Sequence, residues 1–174
     1  LTLVPGGPQG EGNCLALINR ASGGNFGAMI AADRLDAREY SRLSFDYRLP
    51  PEAKVNFYLA ARSRWYEIVF SGREDPAPRT SLLGRIPGVI ADGQWHRAEF
   101  DLLGHAEKAL GRSAKLIASD LFIGNMSSED YLDAGFGGNQ AGAKVCLDNV
   151  GLLKPSADAV EVAAKAAAGV TVEG

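Results

Sequence analysis

The sequence predicts an all-β fold, an antiparallel β-sandwich, and three observations predict it. Glycine is abundant, 21 of 174 residues, and eight prolines accompany it, which is what a chain with many turns requires. The apolar runs between these residues are short. Several of them alternate apolar and polar side chains with a period of two, the repeat of a strand buried on one face.

Length and charge narrow the field further. At 174 residues the chain is long enough for one well-buried domain and too short for two comfortable ones. The expected division is a sandwich over residues 1–154 and an alanine-rich helix or linker over 155–174, with an N-cap at Ser156 and a Glu161 to Lys165 pair. A net charge of −3 and a pI of about 5.4 argue against a nucleic-acid partner, whose phosphates need a basic face. No apolar run approaches the ~18–20 residues of a membrane span. The N-terminal residues lack both an initiating Met and a basic, then apolar, leader. The expectation is a mature or excised domain attached to other domains of the same chain.

Residues 1–12 are rich in Pro and Gly and read as an entry loop. Asn13–Asn19 and Ala28–Ala32 read as short strands around a turn at 21–27. Arg34–Tyr40 reads as a loop or helical turn. From Arg42 the alternation sharpens, with Leu43, Phe45, Tyr47 and Leu49 on one face and Ser44, Asp46 and Arg48 on the other. After the Pro50-Pro51 turn, Val55, Phe57 and Leu59 point inward while Asn56 and Tyr58 point out. A third run sets Tyr66, Ile68 and Phe70 inward against Trp65, Glu67 and Val69. The short turns between these runs predict a three-stranded antiparallel meander. Residues 72–90 read as a long excursion, Trp95–Leu102 as a strand, 104–113 as one or two helical turns, and Asp120–Gly124 as a strand. The loop 125–142 precedes the closing strand.

That closing strand, Ala143–Leu153, holds Asp148 and Asn149 in its middle, where such side chains normally break a strand. Two readings stand open: a bulge or strand end with a solvated Asp, or an oxygen ligand for Ca²⁺. With the Asp92-Gly93-Gln94-Trp95 turn that opens an earlier strand, the sequence Leu147-Asp148-Asn149-Val150-Gly151-Leu152 resembles the β-jelly-roll carbohydrate-binding modules and the wider galactose-binding-like family. The resemblance covers roughly residues 10 to 154 through short, degenerate motifs. It implies a jelly-roll topology, glycan (polysaccharide) binding without catalysis, and a secreted or cell-surface setting. It also implies a structural calcium held by Asp148 together with Glu11 and Asn13 of the opening loop. In jelly rolls the first and last strands often lie together. Cys14 and Cys146 would then either pair, closing a loop of roughly 130 residues, or remain buried thiols. Trp95 resembles the family's structural Trp at a strand start and is left outside the candidate site.

If the three meander strands share one sheet, their outward residues gather Asp46, Arg48, Asn56, Tyr58, Arg62, Trp65 and Glu67 on one surface. An aromatic ring can pack on the C–H face of a sugar while amide, carboxylate and guanidinium groups bond its hydroxyls. The same surface can equally be a solvated face with scattered aromatics. Tyr131 and Asn139, on the loop before the closing strand, form a second candidate surface. Enzyme readings find little support. The acid pairs Glu99 with Asp101 and Asp46 with Glu67 lack a glucanase pattern, no Gly-x-Ser-x-Gly occurs, and no phosphate-binding loop is present. The rival to glycan binding is a ligand-free structural or adhesive domain of a surface protein, with a jelly-roll polysaccharide lyase or glycosidase as a third class.

Overall fold

The computed structural model describes residues 2–21, 26–72, 80–111, 116–125 and 139–155. Eleven strands and one helix lie within them: β1 (Thr2–Pro5), β2 (Asn13–Ile18), β3 (Gly27–Ala31), β4 (Leu35–Asp36), β5 (Arg42–Arg48), β6 (Asn56–Ala61), β7 (Arg64–Val69), β8 (Thr80–Arg85), β9 (Trp95–Asp101), α1 (Leu102–Leu110), β10 (Ile117–Gly124) and β11 (Lys144–Leu153). They form two sheets. One runs in the order β1-β2-β11-β5-β9 and the other β3-β10-β6-β7-β8, with β4 also on β10. The chain crosses between the two sheets at most of its connections. The fold is the predicted all-β sandwich.

Period-two alternation accounts for the core. Leu43, Phe45 and Tyr47 of β5, Phe57 and Leu59 of β6, Tyr66 and Ile68 of β7, Phe100 of β9, Ile123 of β10 and Leu147 of β11 are all buried in one cluster between the sheets. At its centre the Phe45 ring lies 5.0 Å from that of Phe57 and 5.5 Å from that of Phe70, tilted or edge-on as aromatic quadrupoles prefer. Helix α1 begins where Asp101 caps it, its Oδ1 accepting from the Gly104 N–H at 2.9 Å. Gly111, at φ 88°, ends it.

Three expectations are corrected. β5 does not join β6 and β7 in a meander; it pairs with β11 and β9, and the Pro50-Pro51 turn carries the chain across to the other sheet. A run of alternating residues fixes which side chains go inward, but two facing sheets both satisfy that pattern. The excursion over 72–90 contains β8, which pairs with β7 in parallel, an arrangement that a tight hairpin turn could not connect. The second sheet is therefore mixed. Within the entry loop, β1 pairs with β2 at the edge of the first sheet.

The β6–β7 hairpin turns through Arg62 and Ser63 at φ 52° and 60°, both left-handed. Two such central residues define the turn that matches strand twist, where Gly is favoured in the second position. Replacing Ser63 with Gly should therefore raise stability by about 0.5–1 kcal/mol, read as a higher urea midpoint at unchanged slope. A lower midpoint would show that the serine makes compensating contacts.

Candidate functional site

The structure divides the predicted surface into three parts. Asn56, Tyr58 and Glu67 do lie on the outer side of the six-stranded sheet, since Tyr58 pairs with Glu67 across β6 and β7. Each is nevertheless fully buried, 0% exposed, which removes the open platform the alternation suggested. They form a polar network instead. Asn56 Nδ2 donates to Glu67 Oε1 at 2.6 Å, and the Tyr58 hydroxyl lies 3.4 Å from the same oxygen. Thr80 Oγ1 donates to Glu67 Oε2 at 3.0 Å, so β8 is bound to β7 through side chains as well as backbone. Asn56 Oδ1 in turn accepts from the Phe70 and Gly72 N–H groups, at 2.8 and 2.9 Å. A buried carboxylate is tolerable only when its lone pairs are satisfied in this way.

Trp65 and Arg62 remain together. With Arg64, Ile117 and Ser119 they line a shallow depression of about 320 Å³ beside the strained turn. Trp65 is half-buried, and Arg62 and Arg64 are exposed. An indole, two guanidinium groups and the hydroxyls of Ser63 and Ser119 suit a polar ring-shaped ligand.

Arg48 belongs to the other sheet and is corrected out of the Trp65 surface. It sits in register with Cys146 on β11 and with Trp95 on β9. Its guanidinium lies 5.4 Å from the Trp95 ring centroid, and Nη2 is 3.5 Å from Cys146 Sγ. Trp95 thus flanks a cation on the outer face of the five-stranded sheet, a site that sequence reasoning passed over. The outward alternation of Arg48 on one strand and Trp95 on another was legible; that the two strands are neighbours was not. Further along the same face, Arg97 bonds Ser44 Oγ at 2.7 Å and Asp46 Oδ1 at 3.4 Å, and Asn149 Nδ2 bonds Asp46 Oδ2 at 2.6 Å. Asp46 and Glu67, weighed as a catalytic pair, lie in different sheets.

Asn139 is also structural. Its side chain bonds both backbone groups of Lys54 at 2.8 Å, and its carbonyl accepts from Asn19 Nδ2 at 3.1 Å, so it ties the closing loop to the sandwich. Tyr131 and residues 156–174 lie outside the described residues.

At the closing strand, Asn149 adopts φ 47° and the β11–β5 register shifts between Asp148 and Gly151. Asp148 and Asn149 therefore occupy a bulge, the first of the two readings of that segment. Asp148 Oδ1 accepts from the Asn149 N–H at 2.7 Å. Its other oxygen faces the opening loop: a Cβ on Gly7 would come within 2.7 Å of the Glu11 carbonyl oxygen and 3.0 Å of Asp148 Oδ2. Glycine at position 7 thus lets the opening loop lie close against the Asp148 carboxylate, and the Glu11 carbonyl there accepts from the Gly7 N–H at 3.2 Å. The Glu11 side chain is exposed, and Asn13 opens β2 opposite Pro5 with its side chain exposed. Among the described residues no three His, Cys, Asp or Glu side chains cluster for a metal.

Cys14 and Cys146 are free thiols, buried together with Ala16 against Val4 and Trp95. Cys146 faces Ala16 across the ladder, which puts Cys14 on the diagonal from it. Burial first, then the adjoining Cys146 thiol, raises the Cys14 pKa above the usual value. At the sheet edge Asp92 is held below the ordinary carboxylate range by the Gln94 N–H and then by His96, whose Nε2 lies 2.9 Å from it.

No protein-family model matches the chain, and none of the curated proteins matches it.

Proposed function

We propose that this β-sandwich is a non-catalytic glycan-binding module of a larger secreted or cell-surface protein, steadied by a structural Ca²⁺. The observation that carries the reading is the depression at the β6–β7 turn, where Trp65, Arg62 and Arg64 stand together beside Ser63, Ser119 and the small apolar wall of Ala60, Ala61 and Ile117. Binding there is weak, because a sugar offers few apolar atoms and loses ordering entropy. The calcium is held by Asp148 and the Glu11 carbonyl, with Glu11 and Asn13 side chains as further donors. It supplies a cross-link between the closing strand and the opening loop.

A titration of the chain with neutral and acidic oligosaccharides, repeated with Trp65→Ala, tests the binding. The expected result is a loss of about tenfold or more in affinity with an unchanged urea midpoint. Equal affinity in the variant, or no binding at millimolar sugar, removes the reading. For the metal, melting with Ca²⁺ against EGTA should show stabilisation of about 2.7 kcal/mol at a hundredfold excess over Kd, abolished in Asp148→Ala. No calcium response removes the metal from the proposal.

The ligand-free structural or adhesive domain is favoured by one specific observation. Asn56, Tyr58 and Glu67, three of the eight predicted sugar-binding residues, are consumed inside the protein. Failure of both titrations would turn the assignment to that class.

A further inference from the structure

A second cleft, of about 400 Å³, opens at the end of the five-stranded sheet between the Pro50 turn and the Gly142 turn. Arg48 and Lys144 line it, both half-buried, on adjacent strands β5 and β11. Among the described residues neither has a carboxylate partner. The contacts of Arg48 are a thiol at 3.5 Å and an indole face at 5.4 Å. Both hold the guanidinium in place, and neither neutralises it.

A half-buried cation without a counter-ion is partly desolvated for little return, and two such cations lining one cleft favour an anion between them. Glu52, exposed, lines the same cleft. It repels a bare anion but accepts hydrogen bonds from hydroxyl groups. Gly93 and Gly142, at φ 76° and 89°, line the cleft without side chains that would fill it. A group that meets two cations, one hydroxyl acceptor and an open glycine wall is an anionic sugar ring.

We propose that this cleft is a binding site, separate from the Trp65 depression, for an acidic sugar, whose carboxylate or sulfate lies between Arg48 and Lys144 while a ring hydroxyl donates to Glu52. The anion site stands on its own residues; that the anion belongs to a sugar rests on the glycan reading.

The experiment titrates the full chain in 0.15 M salt with a uronic-acid tetrasaccharide, a sulfated tetrasaccharide and their neutral parent. Tryptophan fluorescence of a Trp65→Phe variant is followed, so that Trp95, in contact with Arg48, is the reporter. An acidic ligand should bind about tenfold or more tighter than the neutral parent, and Arg48→Gln should abolish that preference. Lys144→Gln, on a strand that does not pair with that of Trp95, should weaken acidic-ligand binding about tenfold and provides the test if Arg48→Gln fails to fold. Which acidic tetrasaccharide responds decides between carboxylate and sulfate. Equal binding of acidic and neutral sugars, or a preference untouched by both substitutions, overturns the site. If no tetrasaccharide binds, the glycan reading falls, and glucuronate and inorganic sulfate alone decide the anion site. Quenching of Trp95 that Arg48→Gln or Lys144→Gln removes sustains it, and no quenching ends it.

Discussion

Phe45→Ala should cost about 3–5 kcal/mol, the largest effect of any single substitution considered for this fold. Its ring is fully buried in β5 and touches the rings of Tyr47, Phe57 and Phe70, so it joins the two sheets at the middle of the core. Truncation removes the transfer free energy of a benzyl group. It also leaves a cavity whose walls, themselves strands held in register on two ladders, cannot collapse. A domain of this size is stable by about 5–15 kcal/mol, so the variant should remain folded with a much lower urea midpoint. Leu82→Ala, at a side chain 47% exposed on β8, serves as the control and should stay within about 0.5 kcal/mol. A cost below about 1 kcal/mol for Phe45→Ala would mean that the sheets do not meet through this cluster.

Asn56→Ala should cost about 2–4 kcal/mol although the residue is polar and was expected at the surface. Its side chain donates to Glu67 and accepts from two backbone N–H groups, one of them on the buried Phe70. Losing it strips partners from a buried carboxylate and a buried amide at once, each worth about 1–3 kcal/mol when left unsatisfied. A double-mutant cycle with Glu67→Gln separates this from simple loss of packing. Coupling of about 1 kcal/mol or more is expected from the direct 2.6 Å bond. Strict additivity, or a cost near zero for Asn56→Ala, would show that the network does not form in solution. Binding assays on Asn56, Tyr58 or Glu67 variants report folding before they report a ligand, so Trp65 and Arg62 are the residues to alter.

These two residues also mark how far the sequence is legible. The inward rows of β5, β6 and β7 can be read from alternation, and Phe45 with its neighbours follows from it. The outward row of β6 and β7 is read equally well as to direction, and wrongly as to exposure. Alternation says which side of a strand a residue takes; it does not say whether that side is itself covered. The Asp148-Asn149 pair is different, because residues that resist a strand signal a local break, and the bulge is a local event.

What the sequence determined by itself was local or periodic: the β class, the core-facing rows, a short helical segment near residues 104–113 and the irregularity of the closing strand. Each depends on the conformational preferences of a few adjacent residues, or on a repeat of two that any strand must obey. The tertiary structure decided which strands are neighbours. It placed β5 beside β11 and β9 instead of β6, and so moved Arg48 away from Trp65 to stand over Trp95 with Lys144 nearby. It also set β8 parallel to β7 and enclosed Glu67. Pairing between segments distant in the chain is chosen by the packing of the whole sandwich, and no short window of residues encodes that choice.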